Sequence, residues 1–154
     1  MTKVLLPNHI VQEIRSYLGN SCGNNEHGGL LLGFRKPSAV QVHLVTFPDQ
    51  WDRSTPTRFH RSHRGHEDRA IKEWLSSGKT VDWVGEWHSH PFGTSLPSSI
   101  DRDSWKRIVS GVARPMVFII FGRLDMYVGL QTALAGSALR LVVEEKSDSA
   151  ALYG

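Results

Sequence analysis

An apolar run ends in Gly85-Glu86-Trp87-His88-Ser89-His90, and after a seven-residue spacer that begins at Pro91 come Ser98 and, three positions on, Asp101. These are the residue types of a metal site. Side chains alternate across an extended chain, so His88 and His90 leave one face of a strand and their imidazoles can converge on one ion. Two neutral imidazoles and the Asp101 carboxylate suit Zn2+, one per chain. The fourth tetrahedral position is then left to water, as in catalytic rather than closed structural sites. The chemistry expected of such a site is metal-assisted hydrolysis.

The elements that must position these residues can be read along the chain. Residues 7–18 carry Ile10, Ile14 and Leu18 four apart, which predicts an amphipathic helix with a proline start and a glycine stop at Gly19. Gly29 to Phe34 is a glycine-bounded apolar run and reads as a buried strand; Val40 to Val45 alternates and reads as its half-exposed partner. Residues 47–65 break into Pro, Asp, Ser, Thr and Arg, with a short strand expected only at Arg58-Phe59-His60-Arg61. A second helix over 66–77 is expected to bury Ala70, Ile71, Trp74 and Leu75. The strand over 80–87 then delivers the two histidines, with Val81, Trp83 and Gly85 alternating against Asp82, Val84 and Glu86. Ser98 stands where a helix N-cap belongs, and Trp105, Ile108 and Val109 mark that third helix's buried face. Strands are expected over 116–121, 126–130 and 139–144, with Gly122 to Asp125 as a hairpin turn. Residues 147–154 are expected to form a mobile tail, which limits the folded domain to 1–146.

Composition sets the outer bounds. A chain of 154 residues with an ordinary apolar fraction suits one domain with its own core. No apolar run reaches membrane-spanning length and the start is too short for a signal peptide, so a cytoplasmic location without membrane partners is expected. Cys22 is the only cysteine, which rules out an internal disulfide and fits a reducing compartment. Paired with His27 it could be a thiol nucleophile, but nothing in the sequence orients that histidine. A net charge of +3 is mildly basic and favours an acidic partner face. The five tryptophans fall at helix or strand positions and read as core rather than as stacking platforms, so nucleic acid is not expected as a partner. His60, His63 and His66 recur among arginines and read as a basic solvated loop, not a second metal site.

The His-Ser-His-Pro segment, with Ser-x-x-Asp after seven residues counted from Pro91, resembles the JAB/MPN (JAMM) metalloprotease family. The family's upstream Glu-x-x-Gly-x-Leu-x-Gly is matched position for position by Glu26-His27-Gly28-Gly29-Leu30-Leu31-Leu32-Gly33. More narrowly, Gly-Glu-Trp-His-Ser-His-Pro, Pro97-Ser98-Ser99-x-Asp101 and Ser104-Trp105 are similar to small bacterial JAB proteins encoded beside E1- and E2-like enzymes in antiphage operons. The resemblance implies an α/β fold, a single JAB/MPN-type domain with a mixed curved β-sheet flanked by helices on both sides. It implies zinc on His88, His90 and Asp101, Glu26 as general base and Ser98 as donor to the oxyanion. Glu86, nearer the histidines, is a rival base that could also support them as an acceptor.

The activity implied is a zinc isopeptidase acting on a ubiquitin-like modifier or its conjugates, associated with E1- and E2-like enzymes. Related small JAB proteins act instead on sulfur-carrier adducts or cell-wall peptides, and some members of the fold are metal-free scaffolds. Scaffolds usually lose a ligand, and none is lost here. The basic surface expected to grip the modifier body is Arg58, Arg61 and Arg64.

Overall fold

The structure, a computed structural model, describes residues 1–21 and 23–154. Pro7 both ends β1 (Lys3–Pro7) and caps α1 (Asn8–Asn20), because a φ of −62° suits the extended chain that precedes a helix. Ile10 and Ile14 form the buried stripe of α1. The Gly-bounded apolar run becomes β2 (Gly28–Lys36), antiparallel to β3 (Ala39–Val45) on one side and to β6 (Asp82–Ser89) on the other. Between β3 and β6 lie a separate hairpin, β4 (Arg53–Thr55) with β5 (Arg58–His60), and then α2 (His63–Ser76). A parallel pair needs a crossover, and α3 (Ser99–Val112) supplies it between β6 and β7 (Met116–Phe121). β8 (Met126–Gln131), β9 (Leu139–Arg140), β10 (Val143–Lys146) and β11 (Ala150–Tyr153) follow.

The main sheet runs β10-β11-β1-β3-β2-β6-β7-β8-β9, with β1/β3 and β6/β7 parallel and the other pairs antiparallel. Its two outermost strands, β9 and β10, are separated in the chain only by Leu141 and Val142. Leu141 donates to the Val128 carbonyl at 2.9 Å, while Val142 and Gly154 exchange bonds of 3.0 and 3.1 Å. One stretch of chain therefore joins both ends of the sheet, which curls round and leaves little open edge. The strand expected over 139–144 is thus two short strands belonging to opposite ends of the sheet.

Two cores form on the two faces. Leu31, Val117, Ile119, Phe121, Val128 and Leu130 cluster with Ile10 and Ile14 of α1. On the other face Trp105 and Val109 of α3 pack against Phe118, Ile120 and Tyr127, and the Trp105 ring stacks on Phe118 with centroids 4.7 Å apart. α2 lies beside α3 over Leu30 and Leu32. The expected mixed, curved sheet with helices on both sides is the fold observed.

Three expectations are corrected. Residues 147–154 do not form a mobile tail, because β11 inserts between β1 and β10 and buries Ala151 and Tyr153; the fold therefore extends past residue 146. α2 turns a different face to the sheet than its apolar residues suggest: Ala70 packs inward, whereas Ile71, Trp74 and Leu75 are 48%, 39% and 59% exposed. His66, one helical turn before Ala70, is 1% exposed and occupies the inward stripe. Finally, a register shift in β2 between Leu31 and Leu32, opposite Trp83 to Gly85, breaks simple alternation in β6. Trp83 and Glu86 therefore share a face, and one guanidinium, that of Arg61, reaches both.

Candidate metal centre

β2 and β6 bring the two halves of the site together, since Gly28 lies opposite His88 and Gly29 opposite Trp87. Glycine is needed there because a Cβ on Gly29 would fall 2.0 Å from the Thr46 carbonyl oxygen. Glu26 precedes this strand and is held by its backbone: its amide donates to the Thr55 carbonyl at 2.7 Å and its carbonyl accepts from the Ser54 hydroxyl. The adjacent His27 exchanges backbone and hydroxyl bonds with Ser89, fixing this turn to the end of β6.

His88 and His90 leave the end of β6 on one side, and α3 brings Asp101 to them. Ser98 and Asp101 form a capping box, in which the Ser98 hydroxyl accepts from the Asp101 amide at 3.2 Å and the Asp101 carboxylate accepts from the Ser98 amide at 2.7 Å. The helix cap thereby aims the carboxylate at the histidines. His88 Nε2 lies 3.1 Å from Asp101 Oδ1, His90 Nε2 3.3 Å from Asp101 Oδ2, and the two Nε2 atoms 3.1 Å from each other. His90 Nδ1 lies 3.0 Å from the Thr94 carbonyl, which can only accept, so Nδ1 carries a proton and Nε2 faces the cluster, where it can share a proton with Asp101 or bind a cation.

These separations fit one divalent cation. Ligand bonds of about 2.0–2.1 Å at tetrahedral angles require donor atoms about 3.3–3.4 Å apart, close to the three spacings observed. Two nitrogen lone pairs aimed at each other are also unfavourable unless a proton or cation lies between them.

The electrostatics agree. Burial works against the charged form of Asp101, but hydrogen bonds with His88 and His90 and the Ser98 amide outweigh it and hold the carboxyl well below the usual range. The Asp101 hydrogen bond likewise raises His90. Glu26, whose Oε1 is 4.0 Å from His90 Nε2, is pushed up chiefly by burial, against the lowering effect of the two imidazoles. Ser98 is exposed; its oxygen accepts from a backbone amide, which leaves its own O–H free to donate. A cleft of about 320 Å3 opens over Glu26, His88, Ser98 and Asp101, walled by Phe59 of β5 and Ile108 of α3. Four of the five sequence-predicted residues line this cleft, and the fifth, His90, touches them from beside it through His88, Asp101 and Glu26.

Glu86 lines the same cleft, but Arg61 engages its Oε1 with both Nε and Nη2 while lying over the Trp83 ring. Its charge is balanced by that ion pair rather than turned to the histidines. The Arg58, Arg61, Arg64 cluster does not hold together either, since Arg64 lies over Trp51 and Arg61 is committed to Glu86. His66 is not a solvated residue. Asp52 accepts from His66 Nε2–H at 2.6 Å, and the Thr46 hydroxyl, which accepts from the Leu30 amide, bonds His66 Nδ1 at 2.6 Å. Asp49 is nearby, yet this group is a satisfied buried network that ties α2 to β2. Cys22 lies outside the described residues, and His27 packs edge-on against Tyr17. Of the five tryptophans, Trp51 and Trp74 are exposed and the others are not. Sequence reasoning missed the Thr94 carbonyl because a backbone acceptor leaves no signal in residue type.

Known proteins place this arrangement in a family. Residues 7–134 match the family described as prokaryotic homologs of the JAB domain. Three similar proteins, each named CD-NTase/cGAS isopeptidase, come from Pseudomonas aeruginosa, Vibrio cholerae and Escherichia coli. The first is 34% identical over 122 residues, covering 78% of this chain and 77% of that protein. The second is 32% identical over 127 residues and the third 30% over 128, each covering 82% of this chain and 80% of the relative. Among solved structures, the solution structure of a Desulfitobacterium hafniense protein superposes with a TM-score of 0.62 at 20% identity, covering 92% of both chains. A Salinibacter ruber protein gives 0.51 at 18% identity, covering 92% of this chain and 90% of that one, so both describe the fold alone. With the matched region spanning β2, β6 and α3 and every residue of the site, the chain belongs to the prokaryotic JAB-domain family.

Proposed function

We propose that this protein is a zinc-dependent isopeptidase that hydrolyses the amide bond after the C-terminus of a ubiquitin-like modifier, joined to a target or to a precursor tail. The observation that carries the reading is the convergence of His88, His90 and Asp101, with Glu26 4.0 Å from His90, beside an open cleft that Glu26, His88 and Asp101 line. The relatives' name, CD-NTase/cGAS isopeptidase, supports an isopeptide bond as substrate and a role beside a CD-NTase, and the resemblance to JAB proteins of antiphage operons suggests the setting. E1- and E2-like enzymes are then the expected source of the conjugate.

In this reading His88, His90 and Asp101 hold the ion. Bound zinc supplies Lewis-acid polarisation and lowers the pKa of a water from about 15.7 toward about 7. Glu26, raised by burial, takes the proton of the attacking water and returns it to the departing amine as the C–N bond breaks. The free Ser98 O–H donates to the oxygen that gains charge, an effect of roughly 3–4 kcal/mol per donor in well-placed sites. The cleft between β5 and α3 takes the extended modifier tail. Among the described residues no helix is long and apolar enough to cross a membrane.

The test is to purify the protein with zinc, count the metal, and incubate it with a conjugate made by a genomically adjacent E1-like enzyme, with and without chelator. One zinc per chain and chelator-sensitive release of the modifier are expected. A metal-loaded protein that leaves every such conjugate intact would end the isopeptidase reading.

A further inference from the structure

The loop between β6 and α3 carries His90 at its start and is anchored by the β7–β8 turn. Ser95 is 1% exposed although its neighbours Thr94 and Leu96 are exposed. Its hydroxyl donates to Asp125 Oδ2 at 2.7 Å and its amide lies 3.1 and 3.2 Å from the two carboxylate oxygens. Asp125 closes the β7–β8 turn, where its carbonyl accepts from the Gly122 amide at 2.9 Å. Arg15 of α1 locks that turn: it donates to the Gly122 carbonyl at 2.7 Å and the Asp125 carbonyl at 2.8 Å, with its guanidinium over the Phe121 ring. The contact between turn and loop is close enough to require glycine, since a Cβ on Gly122 would fall 2.0 Å from Asp125 Oδ1 and 2.8 Å from the Ser95 amide.

We propose that Asp125 is a positioning residue for the metal centre: through Ser95 it holds the Thr94 carbonyl against His90 Nδ1 and so fixes the ring and tautomer that present Nε2 to the ion. The inference rests on the metal-centre reading above. The chain of bonds is short. Asp125 fixes Ser95; the preceding carbonyl, that of Thr94, is 3.0 Å from His90 Nδ1; and the His90 amide is itself bonded to the Phe121 carbonyl, at the edge of the same turn. Both ends of His90 therefore refer to the β7–β8 hairpin. Without the Asp125 anchor the Thr94 carbonyl is free to leave, and the imidazole proton can then reside on either nitrogen.

The experiment measures zinc affinity by competition with a chromophoric chelator, together with the visible absorption of the Co2+-loaded protein, which reports ligand geometry. D125A is expected to bind zinc about 10–100-fold more weakly with altered cobalt bands, while D125N, which keeps one acceptor oxygen for Ser95, recovers most of the affinity. S95A, which removes only the hydroxyl, falls between D125A and the wild type. The proposal is overturned if D125A and S95A bind zinc within about twofold of wild type and their cobalt spectra are unchanged. Should circular dichroism show D125A unfolded, S95A decides: weaker binding supports the proposal, and wild-type affinity with a wild-type spectrum overturns it. Wild-type protein that binds neither ion would instead remove the metal-centre reading itself.

Discussion

At the scale of single residues, the two acids of the cleft differ by what they touch. Among the described residues half-buried Glu26 has no cationic partner but the cluster imidazoles, whereas Glu86 is neutralised in place by Arg61. A group meant to accept and return a proton must not be held as the counter-ion of a fixed cation, and Arg61 holds Glu86 in that way while Glu26 stands beside His90. Glu26→Gln is expected to keep stoichiometric zinc while losing at least about a hundredfold in turnover. Glu86→Gln leaves Arg61 unpaired in a part-buried position, so its cost should fall mainly on stability. Turnover and metal content measured on both variants decide between them, and a selective loss in Glu86→Gln would reverse the proposed roles.

At the scale of elements, α3 does two jobs through one residue pair. The Ser98–Asp101 capping box satisfies free amides at the helix start and presents Asp101 to the histidines. Cap and hydroxyl chemistry can be separated, because alanine at an N-cap costs about 1 kcal/mol whereas glycine costs only a few tenths. Ser98→Ala should therefore lower Tm by about 2–4 °C and Ser98→Gly by much less, as thermal denaturation will report. Both variants should lose about a hundredfold in turnover if the hydroxyl donates to the oxyanion. Normal turnover in Ser98→Gly would confine Ser98 to its cap.

At the scale of the whole molecule, closure of the sheet is expected to set stability, with the proposed metal contributing little. Tyr153 is buried between β1 and β10, and replacing a large buried aromatic residue by alanine costs about 3–5 kcal/mol. Tyr153→Ala should then lower Tm by roughly 6–20 °C, at about 2–4 °C per kcal/mol. An unchanged melting curve would mean that β11 contributes nothing to the fold. Chelation is expected to act differently. His88, His90 and Asp101 sit at the ends of β6 and α3, whose packing rests on Trp87, Trp105, Val109 and Phe118. The metal-free chain should keep its far-ultraviolet circular dichroism, unlike a zinc finger, and collapse on chelation would make the ion structural.

Much of this was legible from residue order alone. The spacing of His88, His90, Ser98 and Asp101 is local chemistry on one strand end and one helix start, so strand alternation and capping rules suffice to group them. Glu26 was legible only through its match to a family pattern, because its approach to His90 depends on the pairing of β2 with β6, which no local rule supplies. The tertiary structure alone decided the rest. The register shift opposite Trp83 to Gly85 put Trp83 and Glu86 on one face and gave both to Arg61, so a residue that reads as free base is an ion-pair partner. α2 took its inward face from His66 and Ala70 because the buried Thr46–His66–Asp52 bonds, not apolar count, fix its rotation. Residues 150–153, four positions of weak pattern, became an interior strand because two strands distant in sequence, β1 and β10, offered them unpaired backbone. Pattern within a segment reports what it can bury; which backbone it pairs with is settled only when the chain comes together.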